Sequence, residues 1–148
     1  HAGTATYTWL DFAQAAAQAE SLATAMARRI PATGEGMDER LTELEADLSA
    51  LDILAEQAGA AVNDRFDAIV GTHPRYEYFA RAYDLDMTSL EWAAGEMPDE
   101  AQWQDLESRI GDAENALLVW EADPPEAAIA RAWRTAATTV VRSSSASR

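Results

Sequence analysis

The sequence predicts an α/β fold: a helical hairpin followed by a small four-stranded parallel doubly wound sheet. Three observations predict it. Residues 12–62 hold two long helix-compatible stretches, parted by a single break rich in Pro and Gly. From residue 66 onward, short apolar runs alternate with helical stretches, the rhythm of βαβ units. One of those runs, Leu117-Leu118-Val119-Trp120, is apolar without alternation, as a strand covered on both faces must be.

Residues 1–8 are polar and expected to be extended. Asp11 then stands as an N-cap for a helix over 12–30, an Ala-rich stretch without Gly or Pro. Leu22, Met26 and Ile30 line one face of it. Pro31-Ala32-Thr33-Gly34-Glu35-Gly36 breaks the chain. A second helix is expected over 37–62, where Leu41, Leu44, Leu48, Leu51, Ala55 and Ala58 alternate steps of three and four. That spacing allows a short dimer seam, but the run is shorter than the sustained heptads of a coiled coil, so a helix packed on its own domain is expected. Strands follow at 67–71, 87–92, 117–121 and 138–141, with helices between them at 75–83, 99–110 and 125–137. Asp99 caps the middle one. Trp92, Trp103, Trp120 and Trp133 suit helix–sheet packing, and Trp9 the start of the first helix. The organisation expected is therefore 1–65 for the N-terminal segment and hairpin, 66–142 for the α/β lobe and 143–148 for a disordered Ser-rich tail.

Composition narrows the function. Twenty-six acidic residues against 11 basic ones, all of them Arg, give a net charge of −15. Such a field repels nucleic acid and anionic membrane surfaces and attracts cations, and it also serves plain solubility. No cysteine is present, which excludes disulfides, thiolate metal sites and cysteine nucleophiles. No apolar run reaches the length of a membrane span, so no membrane insertion is expected. There is no Gly-x-Ser-x-Gly, no phosphate-binding glycine loop and no His-Glu-x-x-His, and Asp84-Leu85-Asp86 lacks the rest of a calcium loop. The chain is not expected to be an enzyme.

One stretch stands out, Thr72-His73-Pro74-Arg75-Tyr76-Glu77-Tyr78-Phe79-Ala80-Arg81-Ala82-Tyr83-Asp84-Leu85. His73 falls in the turn after the first strand, at the carboxyl edge where open α/β sheets bind ligands. Pro74 suits the first turn of the next helix. Tyr76, Phe79 and Tyr83 share one helical face, and packing is the simpler use for them. A histidine in such a turn either ligates a metal or bonds locally to the backbone it adjoins.

This string resembles a segment of the periplasmic zinc and manganese binding proteins of ABC importers. Tyr78 to Leu85 matches that family's Tyr-Phe-Ala-Arg-Ala-Tyr-Gly-Leu helix, with Asp84 in place of Gly. Trp9-Leu10-Asp11 resembles the motif that opens the family's linking helix. Glu121 matches the residue that ends a strand beside its cleft, and Thr138-Thr139-Val140-Val141 resembles its last strand. The resemblance covers the linking helix and the carboxy-terminal lobe only. Tyr7 and Arg142 stand where the family places a second histidine and an aspartate ligand.

The resemblance implies a solute-binding-type protein of zinc or manganese ABC uptake, periplasmic or otherwise extracytoplasmic. It would bind Zn²⁺ or Mn²⁺ weakly or with a partner, His73 as primary ligand and Glu121 and Asp123 assisting. Tight zinc sites use three or four protein ligands, so the remaining donors must come from water, an ABC permease or a second chain, including a C2 homodimer. The alternative is a metal-free interaction or scaffold module built on the same lobe.

Overall fold

The computed structural model describes residues 7–30, 36–135 and 137–142. Residues 1–6 with His1, residues 31–35 of the break and the Ser-rich tail fall outside them, while Tyr7 and Thr8, expected to be extended, lead into a helical turn. The chain forms two compact units, one up to Ala58 and one from Gly59.

The first unit is helical. A 3₁₀ turn (Thr8–Leu10) leads into helix α1 (Phe12–Arg29), and the Asp11 carboxylate accepts from the Gln14 backbone N–H at 3.0 Å, the expected cap. Arg28 and Arg29 close the helix, cations at its negative end. Leu22, Met26 and Ile30 do line one face, and all three are exposed. Helix α2 (Met37–Arg65) runs three residues past the expected end. Asn63 does not stop it; its side chain instead donates to the Asp84 carbonyl at 2.8 Å.

The second unit begins inside α2, which feeds the sheet. Strands β1 (Ala68–Gly71), β2 (Met87–Ser89), β3 (Asn115–Trp120) and β4 (Ala137–Arg142) are all parallel, in the order β2-β1-β3-β4. Helices α3 (Glu77–Ala82), α4 (Glu100–Ile110) and α5 (Glu126–Ala132) make the three crossovers. The expected run 87–92 is shorter by strand geometry, yet its pairing with β1 continues: Leu90 N–H donates to the Gly71 carbonyl and Trp92 N–H to the Thr72 carbonyl, both at 2.8 Å.

One face of the sheet carries the main core. Val70, Ala116, Leu118 and Trp120 alternate toward Trp103, Leu106 and Ile110 of α4 and Ala128 and Ala132 of α5. Trp92 meets the rings of Trp103 and Trp120 edge-on, each at 5.2 Å between centroids. Buried Trp103 donates its indole N–H to the Pro98 carbonyl at 3.1 Å. Asp99 and Gln102 form a reciprocal capping box at the start of α4. Arg131 of α5 lies 4.7 Å over the Trp103 ring and donates twice to Glu100, at 2.8 Å each. Those hydrogen bonds hold the Glu100 carboxyl below the ordinary carboxylate range. Trp133, expected in this packing, follows the last residue of α5 at its C-cap and is 67% exposed. Right-handed crossovers put α3 on the other face, toward which Ile69 and Leu117 point.

Candidate metal centre

The strand order sets the place of the site. The chain steps from β1 outward to β2, then returns past β1 to reach β3 and β4. Connections therefore leave β1 and β3 in opposite directions, and a crevice opens at their carboxyl ends. His73 follows β1 by two residues, and Glu121 follows β3 directly. Sequence-distant residues thus meet at the one edge where this topology offers room.

Thr72 ties the two loops together. It is buried, its N–H donates to the Val119 carbonyl at 2.9 Å, and its hydroxyl accepts from the Glu121 N–H at 3.2 Å. Its carbonyl accepts from Trp92, so one residue links the ends of three strands. The next turn departs from expectation. Arg75 N–H donates to the His73 carbonyl at 2.8 Å, closing a three-residue turn around Pro74. Proline's fixed φ favours that turn, so α3 starts at Glu77, three residues later than Pro74 would allow. The effect is to fold Arg75 back over the sheet edge rather than carry it up the helix.

Arg75 pairs with Glu121, Nη2 on Oε1. The other oxygen of Glu121, Oε2, lies 3.7 Å from Nδ1 of His73. Glu121 is largely enclosed, its side chain 11% exposed, whereas the His73 side chain is 38% exposed. Nδ1 itself is buried and makes no hydrogen bond. The ring therefore turns Nδ1 inward, toward the carboxylate, and the exposure of the side chain lies on its other atoms. Tyr76 Oη is another buried polar atom without a hydrogen-bond partner in this turn.

Of the three residues singled out from sequence, the structure brings His73 and Glu121 together. Asp123, two residues past Glu121, is exposed. Among the described residues no group of three or more His, Cys, Asp or Glu side chains is arranged to hold a metal ion. Tyr7 belongs to the other unit, and Arg142 ends β4 opposite Trp120. Arg75 and Thr72 were not candidates on sequence grounds. The one sequence signal for Arg75, its place two residues after the histidine, does not by itself direct it at Glu121.

The site chemistry suits a cation only in part. An imidazole nitrogen with a carboxylate behind it is the usual inner part of a metal site. A guanidinium beside that carboxylate offsets its charge, and three further donors are needed for a tetrahedral shell. Among the described helices none is long and apolar enough to cross a membrane.

Residues 2–147 match the sequence profile of the zinc-uptake complex component A, periplasmic, a family typified by ZnuA. No curated protein matches the chain. The fold is similar to that of the Zn(II)-bound ZnuA-like domain of Streptococcus pneumoniae AdcA, with a TM-score of 0.77 at 16% identity over 92% of this chain and 51% of that one. It is similar to the metal-dependent lipoprotein YcdH from Bacillus subtilis, with a TM-score of 0.76 at 14% identity over 92% and 51%. It is also similar to FpvC from Pseudomonas aeruginosa in complex with Mn²⁺, with a TM-score of 0.65 at 17% identity over 92% and 52%. The chain spans about half the length of these proteins.

Proposed function

This chain belongs to the family of the periplasmic zinc-uptake complex component A, and from that premise we propose that it is a divalent-metal-binding lobe of a solute-binding protein serving ABC uptake. The observation that carries this is His73, with Glu121 behind it, at the switch point between β1 and β3. Its role is binding and delivery, not catalysis. Zn²⁺ or Mn²⁺ is the cargo, since imidazole and carboxylate oxygen suit both. His73 supplies the principal donor, and Asp123, exposed two residues past Glu121, assists from the same edge. The remaining donors come from water or from another chain, either a permease or a second binding-protein chain. The net charge of −15 raises the local cation concentration around the site. The site of action is extracytoplasmic, as the family's description states of its members.

A second reading, a metal-free interaction module, is favoured by one observation: Glu121 is already engaged by Arg75. Titration calorimetry with Zn²⁺ and with Mn²⁺ separates the two. The wild type is expected to bind at least one of them with a dissociation constant of about micromolar. His73→Ala should abolish that heat. Negligible heats in both proteins would leave the interaction module standing.

A further inference from the structure

We propose that Arg75 is a positioning residue: by holding one oxygen of Glu121 it aims the other at Nδ1 of His73, so that His73 offers Nε2 to a cation. Four observations converge. Arg75 Nη2 contacts Oε1 of Glu121. Oε2 faces Nδ1 at 3.7 Å. Nδ1 is buried and makes no hydrogen bond, although the ring as a whole is partly exposed. The Glu121 backbone is itself pinned, its N–H donating to the buried Thr72 hydroxyl at 3.2 Å.

A carboxylate's last torsion is broad, so Glu121 alone would let its oxygens wander. The planar guanidinium limits that rotation in a way a point charge cannot. A neutral imidazole has one N–H and one lone pair, and an acceptor beside Nδ1 draws the proton there. Nε2 is then the lone-pair nitrogen. The gap of 3.7 Å is longer than a hydrogen bond; it closes with a shift of roughly 0.8 Å, small for a side chain in a turn. Glu121 consequently acts through His73. To ligate a cation itself through Oε1, it would have to give up Arg75.

The consequence for metal rests on the function proposed above, but the tautomer does not, and the experiment keeps them apart. The chain has two histidines, so ¹⁵N-imidazole spectra of the full chain are assigned by comparison with His73→Ala. They are recorded without metal at a pH about two units above the ordinary histidine pKa of about 6.5. Wild type is expected to carry the proton on Nδ1 of His73. Arg75→Met and Glu121→Ala should shift it toward the Nε2–H form that solvent-exposed histidine prefers, and Arg75→Lys should fall between. A wild-type ring protonated on Nε2, or an Arg75→Met spectrum identical to wild type, overturns the proposal. Zinc titration adds a second readout where wild type binds. There Arg75→Met is expected to weaken affinity by about 10- to 100-fold. An increase instead would mean that Arg75 merely competes with the cation, and would also overturn the assignment. Absence of wild-type binding removes the proposed function and leaves the tautomer comparison decisive on its own.

Discussion

The two units treat their apolar side chains in opposite ways. In the unit from Gly59, Trp92, Trp103, Trp120, Leu106 and Leu118 are almost wholly buried. In the unit up to Ala58, Leu22, Met26, Leu44, Leu51, Ile53 and Leu54 are exposed, and among its described residues Ala55 is the buried apolar side chain. Both units are built from regular elements, so the difference is not one of secondary structure. A strand must pair, and a parallel strand must be covered on both faces, so the α/β unit specifies its own partners. A helix satisfies its backbone alone, and its apolar stripe says only that something could cover it.

The comparison breaks most readily at Trp103. Its ring is fully buried, meets Trp92 edge-on and carries Arg131 on its face. Trp103→Ala is expected to destabilise the α/β unit by about 3–5 kcal/mol. Urea unfolding followed by far-UV circular dichroism measures it. A loss under about 1 kcal/mol would mean that the tryptophan cluster is not where the stability of this unit resides.

A smaller effect, of opposite sign, is expected at Asp84. Helix α3 ends with Leu85 N–H donating to the Ala80 carbonyl at 2.8 Å, and Asp84 takes φ 51° between them. This is the left-handed position of a Schellman ending, where glycine carries no steric penalty. Asp84→Gly should stabilise the unit by about 1 kcal/mol, read as a higher urea midpoint at unchanged slope. No gain would show that local bonds of the Asp side chain already offset the strain.

Asp84 also shows what was legible in advance. The departure from glycine stood plainly in the sequence, but its meaning required the backbone angle. The same holds elsewhere. Alternation and apolar runs located all four strands, because sheet pairing imposes their pattern over several residues. Ends were less legible. Helix α2 ran through Asn63 because that side chain found a tertiary acceptor, and Trp133 fell outside the core because α5 stopped one residue before it. At the site, His73 and Glu121 could be named because each follows a strand. Arg75 could not, because its reach to Glu121 depends on the tight turn at Pro74, which helix rules alone place inside α3.

The smallest expected effect bears on the exposed face of the helical unit. Leu54 is 60% exposed on α2. Leu and Ala have nearly equal helix propensity, so Leu54→Ala isolates burial from helix formation. If the side chain is as exposed in solution as in the structure, the change costs less than about 0.5 kcal/mol. The same urea titration that follows Trp103→Ala measures it. A cost above about 2 kcal/mol, the size of a buried leucine truncation, would mean that another surface covers this face in solution. Repeating the titration across a range of protein concentrations identifies that surface. A cost that grows with concentration points to a second copy of the chain. A concentration-independent cost places the cover within the chain itself, and the contrast between the two units would then be one of degree.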